Sequence, residues 1–153
     1  QAALTVGVLS FAYPSGLPRE ADVVLDARFL RNPHYDPALR PRTGLDPEVA
    51  AYIAADPDYP RFRQLAFDLA DLLLPRFVCE GKKYATFAIG CTGGRHRSVC
   101  MAEVLAAHLR GAGWRVAVTH TELARLPAEA ANAAPIPGVP RDGEHGVAPG
   151  YES

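Results

Sequence analysis

Gly90-Cys91-Thr92-Gly93-Gly94-Arg95-His96-Arg97-Ser98 follows the apolar run Tyr84-Ala85-Thr86-Phe87-Ala88-Ile89 and opens a helical pattern that continues to Arg110. An apolar run, a glycine-rich turn and an amphipathic stretch in that order read as strand, phosphate-binding loop and helix N-terminus. The first turn of a helix leaves backbone N–H groups unpaired, and the aligned peptide dipoles put partial positive charge there. Gly93 and Gly94 let the backbone curl so that successive N–H groups face inward as a nest for an anion. Arg97 offers a planar fork for two oxygens of one phosphate, and Thr92 and Ser98 offer hydroxyls. The expected guest is a phosphate.

Outward from this loop the chain alternates strand and helix signals. Leu4-Thr5-Val6-Gly7-Val8-Leu9 and Asp22-Val23-Val24-Leu25-Asp26 are short apolar runs separated by turn residues from Tyr13 to Pro18, and they read as two buried strands. Tyr84 to Ile89 is a third strand and Trp114 to Val118 a fourth. Phe62, Leu65, Ala66, Leu69, Leu72 and Leu73 recur at helical spacing while Arg61, Arg63, Gln64, Asp68 and Asp71 face away, which predicts an amphipathic helix ended by Pro75. Asp46 as N-cap and Pro47 at the first helical position start a shorter one. Val99, Ala102, Leu105, Ala106 and Leu109 form the buried face of the helix after the loop, which stops near Gly111 and Gly113.

Strand, helix and strand in sequence make a parallel crossover. The expected fold class is therefore α/β: a single domain with a mostly parallel sheet, flanking helices and a phosphate-binding strand-loop-helix. Open α/β sheets place ligands beyond the carboxyl ends of their strands, which gathers the segments after Leu9 and Asp26, the Cys91 turn and His120 at one rim. Residues 1–125 are expected to form the domain, and residues 126–153, rich in Pro, Gly and Ala, a flexible tail.

At 153 residues, 48% of them hydrophobic, the chain is long enough for one core. Sixteen basic residues against seventeen acidic ones give a formal charge of −1, which excludes global attraction to nucleic acid and leaves any RNA contact to a local patch. After Thr121 the chain carries Arg125 and Arg141 against Glu122, Glu129, Asp142, Glu144 and Glu152, so the body is slightly basic. Cys79, Cys91 and Cys100 form no CxxC pair and are odd in number, which fits a reducing cytoplasm. No His/Cys/Asp spacing makes a ligand set, so neither a metal nor another cofactor is expected. Neither a charged leader with an apolar core nor an eighteen-residue apolar run is present, and no membrane association is expected. Self-association into a homo-oligomer is expected.

Cys91, Gly94, Arg97 and Ser98 fit Cys-x-x-Gly-x-x-Arg-Ser, which resembles the phosphate loop of protein tyrosine phosphatases. In such a loop a thiolate stabilised by the helix N-terminus attacks phosphorus, and the serine stabilises the departing thiolate. An acid must also protonate the leaving group; Asp26, Asp36 and Asp46 are candidates, and no spacing chooses among them. A thiol in an anion nest need not be a nucleophile, so binding without catalysis is the leading expectation. A cysteine-dependent phosphatase using Cys91, Arg97 and Ser98 is the alternative. The run from Asp26 through Arg28, Arg31 and Asn32 to His34, stiffened by Pro33 and Pro37, makes a second pocket wall, or else a solvated loop whose arginines pair with Asp36 or Asp46. His96 and His120 either titrate near the ligand or are satisfied structural histidines.

These stretches resemble one family, the C-terminal domain of RapZ-type proteins, bacterial RNase adapters also called nucleotide-binding proteins. The resemblance is carried by Ser10-Phe11 with Gly16-Leu17-Pro18, Ala21-Asp22, Asp26-Ala27-Arg28-Phe29-Leu30 with Asn32-Pro33-His34, Arg40-Pro41 through Asp46, and Ala88 through Gly94 with His96-Arg97-Ser98-Val99. It implies a domain that senses an amino-sugar phosphate, glucosamine-6-phosphate in studied relatives. It also implies binding of a small regulatory RNA and an endoribonuclease partner to steer RNA cleavage. The implied pocket is Asp26, Arg28, His34, Thr92, Gly93 and Arg97, to which the loop reading adds Cys91, Gly94, His96 and Ser98. Full-length members also carry a Gly-x4-Gly-Lys-Ser/Thr loop that is absent here, so the chain is expected to be a domain of a longer protein or a stand-alone homologue. RNA-binding relatives have arginines beside the histidine of the last strand, where Thr119 and Thr121 stand here, and Pro14 replaces a frequent lysine.

Overall fold

In the structure, a computed structural model that describes residues 4–123, four strands form one all-parallel sheet with three helices. The expected tail at 126–153 lies outside the described residues. Strand β1 (Thr5–Ala12) is central, flanked by β3 (Tyr84–Cys91) and β4 (Arg115–His120), and β2 (Val23–Asp26) pairs with the far side of β3. The connections hold α1 (Pro47–Ala54) and α2 (Tyr59–Cys79) between β2 and β3, and α3 (Arg97–Gly111) between β3 and β4. The α/β class and the crossover stand as expected.

Period-two alternation assigns the two faces of the sheet. Val6 and Val8 of β1, with Ala85, Phe87 and Ile89 of β3, meet Val49, Ile53, Phe67, Leu105 and Leu109 from the helices in the main core. The opposite face carries a small cluster of Leu9, Phe11 and Ala88 with Tyr13 and Ala21 packed against it. Strand register fixes the rim: Ala12 lies opposite Cys91, Asp26 opposite Gly90, and Ser10 opposite His120. All four carboxyl ends therefore emerge on one side.

Three local expectations change. The α2 helix does not end at Pro75 but runs through it for another turn to Cys79. Proline removes only its own N–H bond, to the carbonyl of Asp71. Fully buried Leu74 on one side and core-packed Phe77 on the other hold the helix together while the ring of Pro75 faces solvent. The second strand is not buried: β2 is an edge strand whose residues alternate between half-buried and exposed. Its apolar run reflects one face on the core and one open edge. Asp22 pins its start, accepting from Thr86 N–H at 2.8 Å and pairing with Lys82 at 2.9 Å. Finally β1 reaches Ala12 and β3 reaches Cys91, so Gly90 and Cys91 belong to the strand rather than to the turn.

Candidate functional site: the rim of the parallel sheet

Between β3 and α3 the chain turns within Thr92 to His96. Gly94 sits at φ 74°, a left-handed conformation that costs residues with a Cβ about 1–2 kcal/mol. A Cβ there would also come within 2.5 Å of Glu122 Cγ and 3.0 Å of Ala12. The loop is thus pressed against the ends of β1 and β4. His96 occupies the N-cap position of α3 without offering a side-chain cap, so its ring gives the first-turn N–H groups no acceptor. The Ser98 N–H donates to Cys91 Sγ at 3.3 Å, and the thiol donates to Ser98 Oγ at 3.1 Å. Cys91 is 2% exposed, beneath the loop rather than at its mouth.

Arg97 is buried as well. One terminal nitrogen donates to the backbone carbonyls of Arg28 and Leu30, the latter at 3.1 Å, and the other donates to Thr92 Oγ1 at 3.3 Å. It therefore stitches the loop after β2 to the loop after β3. On that second wall Arg28 embraces Asp26, with Nε to Oδ1 at 3.0 Å and Nη2 to Oδ2 at 2.7 Å. The arginines of this segment take other partners than the expected Asp36 and Asp46: the Arg28 side chain takes Asp26, and the Arg31 guanidinium carbon lies 3.9 Å from the Tyr52 ring centroid while its backbone N–H donates to Asp56 at 2.8 Å. Asp46 instead pairs with Arg42 and caps α1 through the Glu48 N–H. Burial alone would raise the Asp26 carboxyl, but the hydrogen bonds and charge of Arg28 outweigh it and hold Asp26 below the usual carboxylate range.

His34 lies half-buried in the 3-10 turn Pro33–Tyr35 that follows this wall. Its backbone carbonyl accepts from Arg40 Nε at 2.7 Å, and Arg40 leads on to His96, whose Nε2 bonds the Arg40 carbonyl at 3.1 Å. Burial of the His96 ring lowers its pKa to about 4, so it is neutral at pH 7 and donates through Nε2. Gly44 completes this brace: its N–H donates to the Arg95 carbonyl at 2.8 Å, and a Cβ would lie 2.6 Å from the Cys100 nitrogen. His120 bonds Ser10 Oγ through Nδ1 and Glu103 through Nε2, both at 2.7 Å, tying three elements together. Both histidines thus have the geometry of structural braces.

The structure brings Asp26, Arg28, Thr92, Gly93, Gly94, Arg97 and Ser98 to one rim. Two further residues, Tyr13 and Glu122, join this rim without belonging to any sequence motif. Tyr13 lies under Arg28, its ring centroid 3.8 Å from the guanidinium carbon, and an aromatic residue just past a strand end beside Pro14 was the available signal. Glu122, counted with the acidic residues after Thr121, is 2% exposed against Gly94, and nothing local marks it as buried. Among the described residues no group of three or more His, Cys, Asp or Glu is arranged to hold a metal, and no helix is long and apolar enough to cross a membrane.

The chain is similar to several bacterial proteins. A nucleotide-binding protein of Granulibacter bethesdensis is 68% identical over 120 residues, 78% of this chain and 37% of that protein. One from Acidiphilium cryptum is 54% identical over 144 residues, 89% of this chain and 48% of the relative. Another from Gluconacetobacter diazotrophicus is 55% identical over 146 residues, 95% and 37% respectively. The chain spans less than half the length of each of these relatives. The family described as RapZ C-terminal domain matches residues 4–124, which takes in every described strand and helix and the rim residues named above, and the chain belongs to that family.

Proposed function

We propose that this chain is a ligand-sensing and adapter domain whose loop from Cys91 to Ser98 binds a phosphorylated small molecule, an amino-sugar phosphate of the glucosamine-6-phosphate kind. The observation that carries the reading is the start of α3, where the N-cap residue His96 offers no side-chain acceptor, preceded by a left-handed Gly94 and opening beside Arg28 and Asp26 at the carboxyl rim of the sheet. Backbone donors suit the phosphate, and the Arg28–Asp26 pair suits hydroxyl or ammonium groups of the sugar. The names of the relatives, all nucleotide-binding proteins, are compatible with a phosphate-bearing ligand.

Calorimetric titration of glucosamine-6-phosphate, inorganic phosphate and glucosamine into the parent and an Arg97→Lys variant tests this, with thermal melts as the folding control. Sugar phosphate is expected to bind more tightly than phosphate and to weaken in the variant, because lysine cannot hold both loops. Equal binding of phosphate and sugar phosphate would reduce the site to a generic anion nest.

The bond from the Ser98 N–H to Cys91 Sγ favours a second reading, a cysteine-dependent phosphatase. Two observations weigh against it. The thiol is 2% exposed, and Asp26, the acid beside the loop, is held ionised by Arg28 and carries no proton to give at neutral pH. Phosphatase activity that disappears in Cys91→Ser would reverse this preference. The adapter role extends to a small regulatory RNA and an endoribonuclease. A salt-dependent gel shift with RNA is the expected sign, and its absence at low salt would remove RNA from the reading.

A further inference from the structure

Arg28 is held from several directions. Asp26 accepts from its Nε, its Nη2 and its backbone N–H, the last at 2.9 Å. Arg97 takes its backbone carbonyl. Tyr13 adds another hold, its ring centroid 3.8 Å from the guanidinium carbon. Tyr13 itself has little freedom. It follows the last residue of β1, opens a 3-10 turn (Tyr13–Ser15) with Pro14 next to it, and leans on Phe11 at 5.0 Å. Both rings rest over Gly90, where a Cβ would come within 2.5 Å of Phe11 and 2.6 Å of Tyr13. Gly90 is thus the residue that admits an aromatic platform across the end of β3, beside the phosphate loop.

A carboxylate bonded to two guanidinium nitrogens and a ring against the guanidinium carbon restrict the orientation of the Arg28–Asp26 pair. We infer that Tyr13 is a positioning residue for the sugar moiety of the ligand: its ring fixes the plane in which Arg28 and Asp26 read the body of a phosphate ester. Bare phosphate is held within the 92–98 loop and does not call on this pair. A sugar phosphate extends one strand further, to a guanidinium that donates to hydroxyls and a carboxylate, its side chain 46% exposed, that accepts from hydroxyl or ammonium. Tyr13 therefore sets selectivity for ester over free anion. This rests on the anion-binding reading above.

Titration of glucosamine-6-phosphate and inorganic phosphate into the parent, Tyr13→Leu and Tyr13→Phe tests it. Loss of the ring is expected to weaken the sugar phosphate roughly fivefold to tenfold, with inorganic phosphate changed less than about twofold, and Tyr13→Phe retains both affinities. In an Arg28→Met background Tyr13→Leu is expected to add nothing, since the ring acts through Arg28. The Arg28 Nε–H resonance supplies a ligand-free readout: its ring-current shift and slow exchange survive in Tyr13→Phe and vanish in Tyr13→Leu. An unchanged selectivity ratio in a folded Tyr13→Leu protein, or an undiminished effect in the Arg28→Met background, overturns the inference alone. A parent that binds neither anion defeats the sensor reading and this role with it, whatever the Arg28 resonance does.

Discussion

His96 shows how much a single side chain in the loop does without touching a ligand. Its ring lies between α3 and the segment from His34 to Gly44 and is neutral because burial penalises its charge, with Arg95 and Arg97 adding repulsion against its bond to the Arg40 carbonyl. The unfolded imidazole titrates near 6.5 and the folded one near 4. Between those values the unfolded chain holds the extra proton, so stability is complete above pH 6.5, declines as pH falls, and levels off below about 4. That interval corresponds to roughly 3 kcal/mol. The contribution of Asp26, whose folded pKa is lowered from 3.8, is lost below that window and does not obscure it. Urea unfolding from pH 7.5 to 4 is expected to show this slope, and His96→Gln, which keeps a donor for the Arg40 carbonyl, to flatten it. An unchanged slope would mean that another group supplies it. Burial alone raises the Cys100 thiol to about 11, the mark of an inert core cysteine.

At the scale of elements, the β3–loop–α3 unit is where local and tertiary demands coincide. The strand delivers Cys91 opposite Ala12, the glycine turn reverses the chain, and α3 begins directly at Arg97, buried with Ser98 and Val99. Gly94 links the three because its backbone is left-handed and its missing Cβ makes room for Ala12 and Glu122. Gly94→Ala is expected to cost roughly 2–4 kcal/mol in urea unfolding, backbone strain and overpacking together, and to weaken anion binding even at temperatures where the variant is folded. A loss below about 0.5 kcal/mol would show that the loop shifts to accept a methyl group. The motif, the N-terminal start of α3 and its buried face were all readable because they depend on neighbours within four residues. Pro75 departs from its sequence expectation for the opposite reason. Its local preference is to break a helix, and the burial of Leu74 and Phe77, which lie on either side of it, overrides that preference.

At the scale of the molecule, the sheet order β2-β3-β1-β4 brings to one rim residues as far apart in sequence as Tyr13, Asp26, Thr92 and Glu122. Closure depends on the last described turn, where Thr121 Oγ1 donates to the Ser10 carbonyl at 2.9 Å and Glu122 packs on Gly94. A chain ending at His120 is therefore expected to be about 2 kcal/mol less stable than one ending at Arg125, and to bind phosphate more weakly. Equal thermal midpoints would show that this closure adds nothing. The sequence by itself determined the α/β class, the parallel crossover, the loop from Cys91 to Ser98 and the membership in a family that its blocks resemble. Each of these is written in short-range periodicity, glycine spacing and residue order. Only the tertiary structure decided that β2 is an edge strand, that Arg97 lies inside stitching two loops, that His96 and His120 are braces, and that Tyr13 and Glu122 line the rim. Those facts depend on which chain segments meet across the sheet, and burial, the term that sets them, is not carried by any residue's neighbours along the chain.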